Sequence, residues 1–245
     1  TVLTPPAAAF SADLTLIPVG GTVQFTDAST GDITGWSWAF GDGETSTAQS
    51  PSHTYATAGL QTVSLTVSNA YGSDTETKVA YIDVGLPPVA SFTANVTGGN
   101  APLTVQFTDA STGDVTGWSW SFGDGATSSL KNPVHTYAAP GTYTVTLIAT
   151  NEYGSDEEIR TDYITVYAPV TAQFTADVTS GAAPLTVQFT DTSTGSPTSW
   201  LWTFGDGNTS TAQNPQHTYS SAGTYTVTLT ASHTYSNDTE TKTSY

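Results

Sequence analysis

The chain has 245 residues, no cysteine, four Lys and Arg against 21 Asp and Glu, and a net charge of −17. The lack of cysteine excludes disulfides and thiolate metal sites, and so few cations argue against charge-driven binding to nucleic acid or anionic lipid. No run of about 20 apolar residues offers a helix able to cross a membrane.

In chain order, the first landmark is Val23-Gln24-Phe25-Thr26-Asp27. Trp36 and Trp38-Ala39-Phe40-Gly41-Asp42-Gly43 follow, then His53-Thr54-Tyr55 and Gly59. All return. Trp38 recurs as Trp120 and Trp202, 82 residues apart each time, and His53 recurs as His135 and His217. A fixed period of this length means one folding unit copied in tandem, which divides the chain into 1–84, 85–166 and 167–245. Thr1-Val2 falls in register with Asp83-Val84 and Thr165-Val166, so it is expected to belong to the end strand of a preceding unit. Tyr245 matches Tyr81 and Tyr163, whose copies continue into Ile82-Asp83-Val84 and Ile164-Thr165-Val166, so the third unit is expected to be short of that strand.

Within the second copy, Leu103, Val105 and Phe107 alternate with Thr104, Gln106 and Thr108, and Tyr143, Val145, Leu147 and Ala149 alternate with Thr142, Thr144, Thr146 and Ile148. Period two with Thr at about a fifth of the chain reads as antiparallel strands with one wet face. Ser111-Thr112-Gly113-Asp114, Phe122-Gly123-Asp124-Gly125 and Asn151-Glu152-Tyr153-Gly154 read as turns. About seven short strands in some 80 residues predict an all-β fold of three tandem immunoglobulin-like β-sandwiches, with a closed barrel as the alternative. Prolines in Gly85-Leu86-Pro87-Pro88 and Tyr167-Ala168-Pro169-Val170 stiffen the joints, which predicts an extended array on the order of 100 Å long.

Trp-x-Phe-Gly-Asp-Gly, then Asn132-Pro133 or Asn214-Pro215, then His-Thr-Tyr and Gly-Thr-Tyr-Thr-Val-Thr-Leu resemble the polycystic-kidney-disease (PKD) domain, over the whole chain. The first copy departs with Ser50-Pro51. The resemblance implies an immunoglobulin-like sandwich in extracellular proteins, among them microbial surface proteins and secreted hydrolases, and the low Lys content looks most like microbial, archaeal-like surface members. It also implies calcium near a domain joint in some members.

Trp36, Trp38 and Phe40 share strand parity and are expected to face the core. Asp42 between two glycines is expected to bond turn amides, and His53, His135 and His217 to satisfy backbone atoms beside a buried Tyr. Zinc needs more clustered ligands than one His per copy. Calcium prefers carboxylate oxygens, and the recurrent candidates are Asp27, Asp109 and Asp191 with Asp42, Asp124 and Asp206; Asp32 and Asp114 recur in two copies, with Ser196 in the third. No nucleophile elbow or phosphate loop is present, so no catalytic residue, enzyme activity or obligatory cofactor is expected. Asn95, Asn208 and Asn237 lie in glycosylation sequons.

The expected function is a non-catalytic structural array of an extracellular or cell-surface protein, in a surface layer, sheath, stalk or filament. Its partners would be copies of itself or neighbouring surface proteins, reached by end-to-end strand addition unless the chain is an excerpt from a longer array. The alternative is an accessory array that holds a hydrolase or adhesin on polysaccharide or protein. For that role Tyr71, Tyr153 and Tyr235 are the candidates for exposure.

Overall fold

A computed structural model describes residues 4–245, so the expected register of Thr1-Val2 lies outside the described residues. Among them every regular element is a strand, because alternating Thr and aliphatic residues suit a pleated, half-buried surface and nothing keeps a helical period. The strands form three two-sheet sandwiches in tandem, the immunoglobulin-like arrangement rather than a closed barrel.

In the first, Phe10–Ala12, Thr22–Asp27 and Ser52–Thr54 face a five-stranded sheet of Leu16–Pro18, Gly72–Gly85, Gly59–Asn69, Gly35–Ala39 and Thr45–Ser46. The second sets Phe92–Ala94, Leu103–Asp109 and Val134–Tyr137 against Gly98–Asn100, Gly154–Tyr167, Gly141–Asn151, Gly117–Ser121 and Thr127–Ser128. In the third, Phe174–Ala176, Leu185–Asp191 and Gln216–Tyr219 face four strands: Ser236–Lys242, Val227–His233, Ser199–Thr203 and Thr209–Ser210.

Burial follows the alternation. Val105, Phe107, Val145, Leu147 and Ala149 are fully buried, each large apolar side chain contributing about 1.5–3 kcal/mol, while Thr104, Thr108 and Thr142 are exposed. Trp38, Trp120 and Trp202 sit at the centre of the three cores with Phe40, Phe122 and Phe204 beside them. Trp36, Trp118 and Trp200 share that parity but are only half-buried, packed at the margin of each core.

Two features lie outside a purely antiparallel reading. Leu16–Pro18 pairs in parallel with Asp83–Gly85, as Gly98–Asn100 does with Thr165–Tyr167. The leading segment of each of these domains therefore starts in the small sheet and crosses to the large one, which raises the strand count to eight in the first and second domains. The long strands also bend. Ala80 and Asp162 take φ of 49° and 53°, with their N–H groups donating to Thr62 Oγ1 and Thr144 Oγ1 at 3.2 and 3.3 Å. A left-handed residue in a strand opens a bulge, here opposite Gln61–Val63 and Tyr143–Val145. Beyond it Ile82, Val84, Ile164 and Val166 turn into the core and are 0–3% exposed.

Candidate functional site

The thrice-written turn is a closed polar lock over an aromatic stack. Gly41, Gly123 and Gly205 all have positive φ, and a Cβ on any of them would press on the backbone of Thr62, Thr144 or Thr226, so only glycine passes there. The next residue, Asp42, accepts the Glu44 N–H at Oδ1 (3.0 Å) and pairs through Oδ2 with His53 Nε2 at 2.7 Å. Asp124–His135 (2.7 Å) and Asp206–His217 (2.8 Å) repeat the pair. The turn amides are therefore satisfied as the spacing suggested, but the histidines bond carboxylates rather than backbone. The physical reason is stacking: His53 lies flat on Phe40 at 4.1 Å and edge-on to Tyr55 at 4.6 Å, which aims Nε2 at the turn. Tyr55, Tyr137 and Tyr219 close the other side, each hydroxyl donating to the buried carbonyl of Phe40, Phe122 or Phe204 at 3.1 Å.

Electrostatics follow from this geometry. Burial alone would raise the Asp42 carboxyl, but hydrogen bonds from His53 and Glu44 and the charge of His53 outweigh it and hold the group below its ordinary 3.8; Asp124 and Asp206 are lowered in the same way. Burial, then the Asp206 charge, pushes the Tyr219 phenol up to about 12.

The second carboxylate set has a different task. Asp27 accepts the Ser29 N–H, the Trp36 indole N–H at 2.8 Å and Gln49 Nε2 at 3.2 Å, and Asp191 binds Ser193, Trp200 and Gln213 likewise. In the second domain Lys131 replaces the glutamine. Its ammonium stands 3.9 Å from Asp109 Oδ2 and over the Trp118 ring, and the buried Trp118 Nε1 has no hydrogen-bond partner.

These contacts decide the candidate chemistry. Calcium would need the Asp27, Asp109 and Asp191 or Asp42, Asp124 and Asp206 carboxylates converging with free lone pairs, yet five of the six pair through both oxygens with N–H groups or a histidine nitrogen, and Asp109 accepts the Ser111 N–H at Oδ1 with Lys131 facing Oδ2. No three acids or histidines cluster among the described residues, so these side chains as folded do not fit a calcium cage. Nε2 of His53, His135 and His217 is engaged by the turn carboxylate in each copy. The sequon residues Asn95, Asn208 and Asn237 are all exposed. Asn95 Oδ1 also accepts the Gln106 N–H at 2.9 Å, the role Asp13 and Asp177 fill in the other domains.

One repeated group escaped sequence reasoning. Three of the four cations, Lys78, Arg160 and Lys242, occupy the same place in the 82-residue period. Each lies over the Phe and Tyr that close the core end: Lys78 over Phe10 and Tyr81, Arg160 over Phe92 and Tyr163, Lys242 over Phe174 and Tyr245. Their shared register was the signal.

The joints reuse a hairpin tip. Asn69 and Asn151 accept the Tyr71 and Tyr153 N–H groups at Oδ1, and donate from Nδ2 to Thr4 O and Leu86 O. His233 does both jobs in the third domain, with Nδ1 toward the Tyr235 N–H and Nε2 at 3.1 Å from Ala168 O. Each tip thereby fastens its own domain's leading segment. The tip tyrosine then meets the preceding domain. Tyr153 covers buried Gly85, where any Cβ would collide with its ring; partial burial and the Asp83 carboxylate push its phenol up to about 12. Tyr235 lies against Tyr167 at 5.1 Å, and its carbonyl accepts Asn100 Nδ2 at 2.8 Å. Of the three tyrosines expected to be exposed, Tyr71 is 55% and Tyr235 46% exposed, whereas Tyr153 is half-buried because a domain sits under it.

A family model described as PKD domain matches residues 4–84, 86–166 and 167–245. Collagenase ColA of Bacillus cereus is 49% identical over 55 residues, 21% of this chain and 6% of that protein. Collagenase ColQ1 of Bacillus cereus strain Q1 is 41% identical over 49 residues, 20% of this chain and 5% of that one. The chain thus spans a small fraction of these relatives. Among solved structures, the I-band fragment I67–I69 of titin superposes with a TM-score of 0.60 and 12% identity, over 99% of this chain and 98% of that one, a likeness of fold.

Two outcomes are expected. The folded Asp42, Asp124 and Asp206 carboxyls lie below 3.8, so their contribution is complete above that value and is lost as pH falls through the lower folded values. Replacing all three by Asn should cost on the order of 1 kcal/mol per pair at pH 7 and flatten the acid limb of a urea-unfolding pH series; an unchanged limb would refute the lock. Lys131→Gln should restore the Trp118–Asp109 bond and stabilise the second domain by about 1 kcal/mol, read as a shift of its unfolding midpoint.

Proposed function

The chain belongs to the PKD domain family, and from that premise we propose that it is a spacer and assembly segment of an extracellular or cell-surface protein. The observation that carries this reading is the use of the repeated turn aspartates, histidines and cations inside the fold. Asp42 and its counterparts hold the turn, Asp27 and Asp191 hold a Trp, and the cations cap the core, so the repetition yields three like building blocks in series. Tyrosine-covered joints and linker prolines favour stiffness, and copies of itself or neighbouring surface proteins are the partners this suits. Exposed Asn95, Asn208 and Asn237 are the proposed glycan carriers for a chain outside the cell.

A second reading draws on the likeness to segments of two collagenases: an accessory array holding a hydrolase on its substrate. Exposed Tyr71 is the side chain it would use first.

Stiffness is measurable because single cysteines can be added to a cysteine-free chain. Spin labels at Thr47→Cys and Ser129→Cys should give a narrow distance distribution, and Tyr153→Ala should broaden it while changing domain stability by less than about 0.5 kcal/mol; an equally narrow distribution would remove the joint from the account. On insoluble collagen or chitin the chain should wash through. Saturable retention that Tyr71→Ala abolishes would instead establish the accessory role.

A further inference from the structure

The three domains fasten their leading segments with the same hairpin tip, but one of the tips uses a group that can change charge. Asn69 and Asn151 hold the first two, and an amide keeps its donor and its acceptor whatever the pH. His233 holds the third, and its partners fix the tautomer. The Ala168 carbonyl can only accept, so Nε2, 3.1 Å away, carries the hydrogen. The Tyr235 N–H can only donate, so Nδ1, also at 3.1 Å, is bare.

The neutral ring therefore fits and the imidazolium does not. A second proton would sit on Nδ1 and face the Tyr235 N–H, donor against donor, while the Nε2 bond to Ala168 and the contact with Tyr167 would be kept. The ring stays and the tip must move. That tip is what reaches the second domain: the Tyr235 ring lies against Tyr167 at 5.1 Å, and the Tyr235 carbonyl accepts Asn100 Nδ2 at 2.8 Å. Both contacts depend on the turn that the Nδ1 bond closes.

The surroundings offer the extra charge no counter-ion. The ring is faced by Tyr235 from its own hairpin, by the Ala168 carbonyl from the joint and by Tyr167 from the second domain, and a phenol carries no charge below about pH 9. At the first joint the Asp83 and Glu152 carboxylates stand beside the Tyr153 hydroxyl, with Asp114 in the same cleft. One period on, these positions are Thr165, Thr234 and Ser196. The next acid along the third hairpin, Asp238, is occupied by the Ala172 N–H at 2.8 Å. The lock histidines are the opposite case, because His53, His135 and His217 turn Nε2 to a carboxylate and keep that bond when protonated.

We propose that the joint between the second and third domains is a proton-released hinge: neutral His233 closes the tip on Tyr167 and Asn100, and proton uptake between about pH 8 and 5 frees the third domain to swing. The joint closed by Asn151 stays shut over the same range. The window lies above that of the turn carboxyls, which are held below 3.8, so the domains remain folded while the hinge opens. The hinge stands independently of the spacer reading.

Spin labels at Ser129→Cys and Thr211→Cys, both exposed, report this joint in the intact chain, as Thr47→Cys and Ser129→Cys report the first. An ordinary histidine is about nine-tenths neutral at about pH 7.5 and only about 3% neutral at about pH 5. Both label pairs should give narrow distance distributions at the higher pH; at the lower one the second-joint distribution should widen at least about twofold and the first should not change. His233→Asn places the sibling residue at the tip and should stay narrow throughout, whereas Tyr235→Ala should be broad throughout. A second joint that stays narrow in acid would overturn the proposal. So would equal widening in His233→Asn, which would assign the effect to another group, or equal widening of the first joint.

Discussion

Each domain depends on one stack: a buried Trp, a Phe beside it, a His flat on that Phe, and a Tyr edge-on to the His. With no cysteine to tie the sheets, this column is what spans them, Trp38 contacting Phe10 and Phe25 of the small sheet from its place in the large one. The polar parts serve the stack. Asp42 fixes the His, the Tyr55 hydroxyl caps the carbonyl of Phe40, and Trp38 Nε1 donates to Ala48 O at 2.9 Å. Burying such rings without satisfying their polar handles would forfeit much of the gain. The motif is therefore long because every member is the partner of another.

The same economy governs how the recurrent acids are used. A catalytic or metal-binding carboxylate needs unsatisfied lone pairs facing a common space. Here Asp27 and Asp191 accept from indole N–H groups, and Asp42, Asp124 and Asp206 pair with imidazoles. Three exchanges between copies change polar partners: Lys131 for glutamine, His233 for asparagine, Asn95 for aspartate. His233 is instructive, because imidazole preserves both hydrogen bonds of the amide it replaces while adding an aromatic face toward Tyr167.

Much of this architecture was legible in the residues. Val105 and Phe107 alternate with Thr, and strands follow; Gly-Asp-Gly asks for positive φ, and the turn is there. The contacts that escaped join positions far apart in sequence. His53 reads as a backbone partner until Phe40 is seen beneath it, and Tyr153 reads as exposed until Gly85 is placed under its ring. The crossing of the leading segment between sheets was hidden too, since Leu16–Pro18 is three residues long and carries no alternation of its own. Lys78, Arg160 and Lys242 were visible as a period, and their meaning needed the rings below them.

If each domain is closed by its own aromatic column, the units should yield to force one at a time. Pulling the intact chain from both ends should give three separate rupture events, each releasing roughly 290 Å of unfolded chain less the domain's folded length. One rupture that releases the whole chain, or smooth lengthening with no repeated step, would contradict an array of independently locked units.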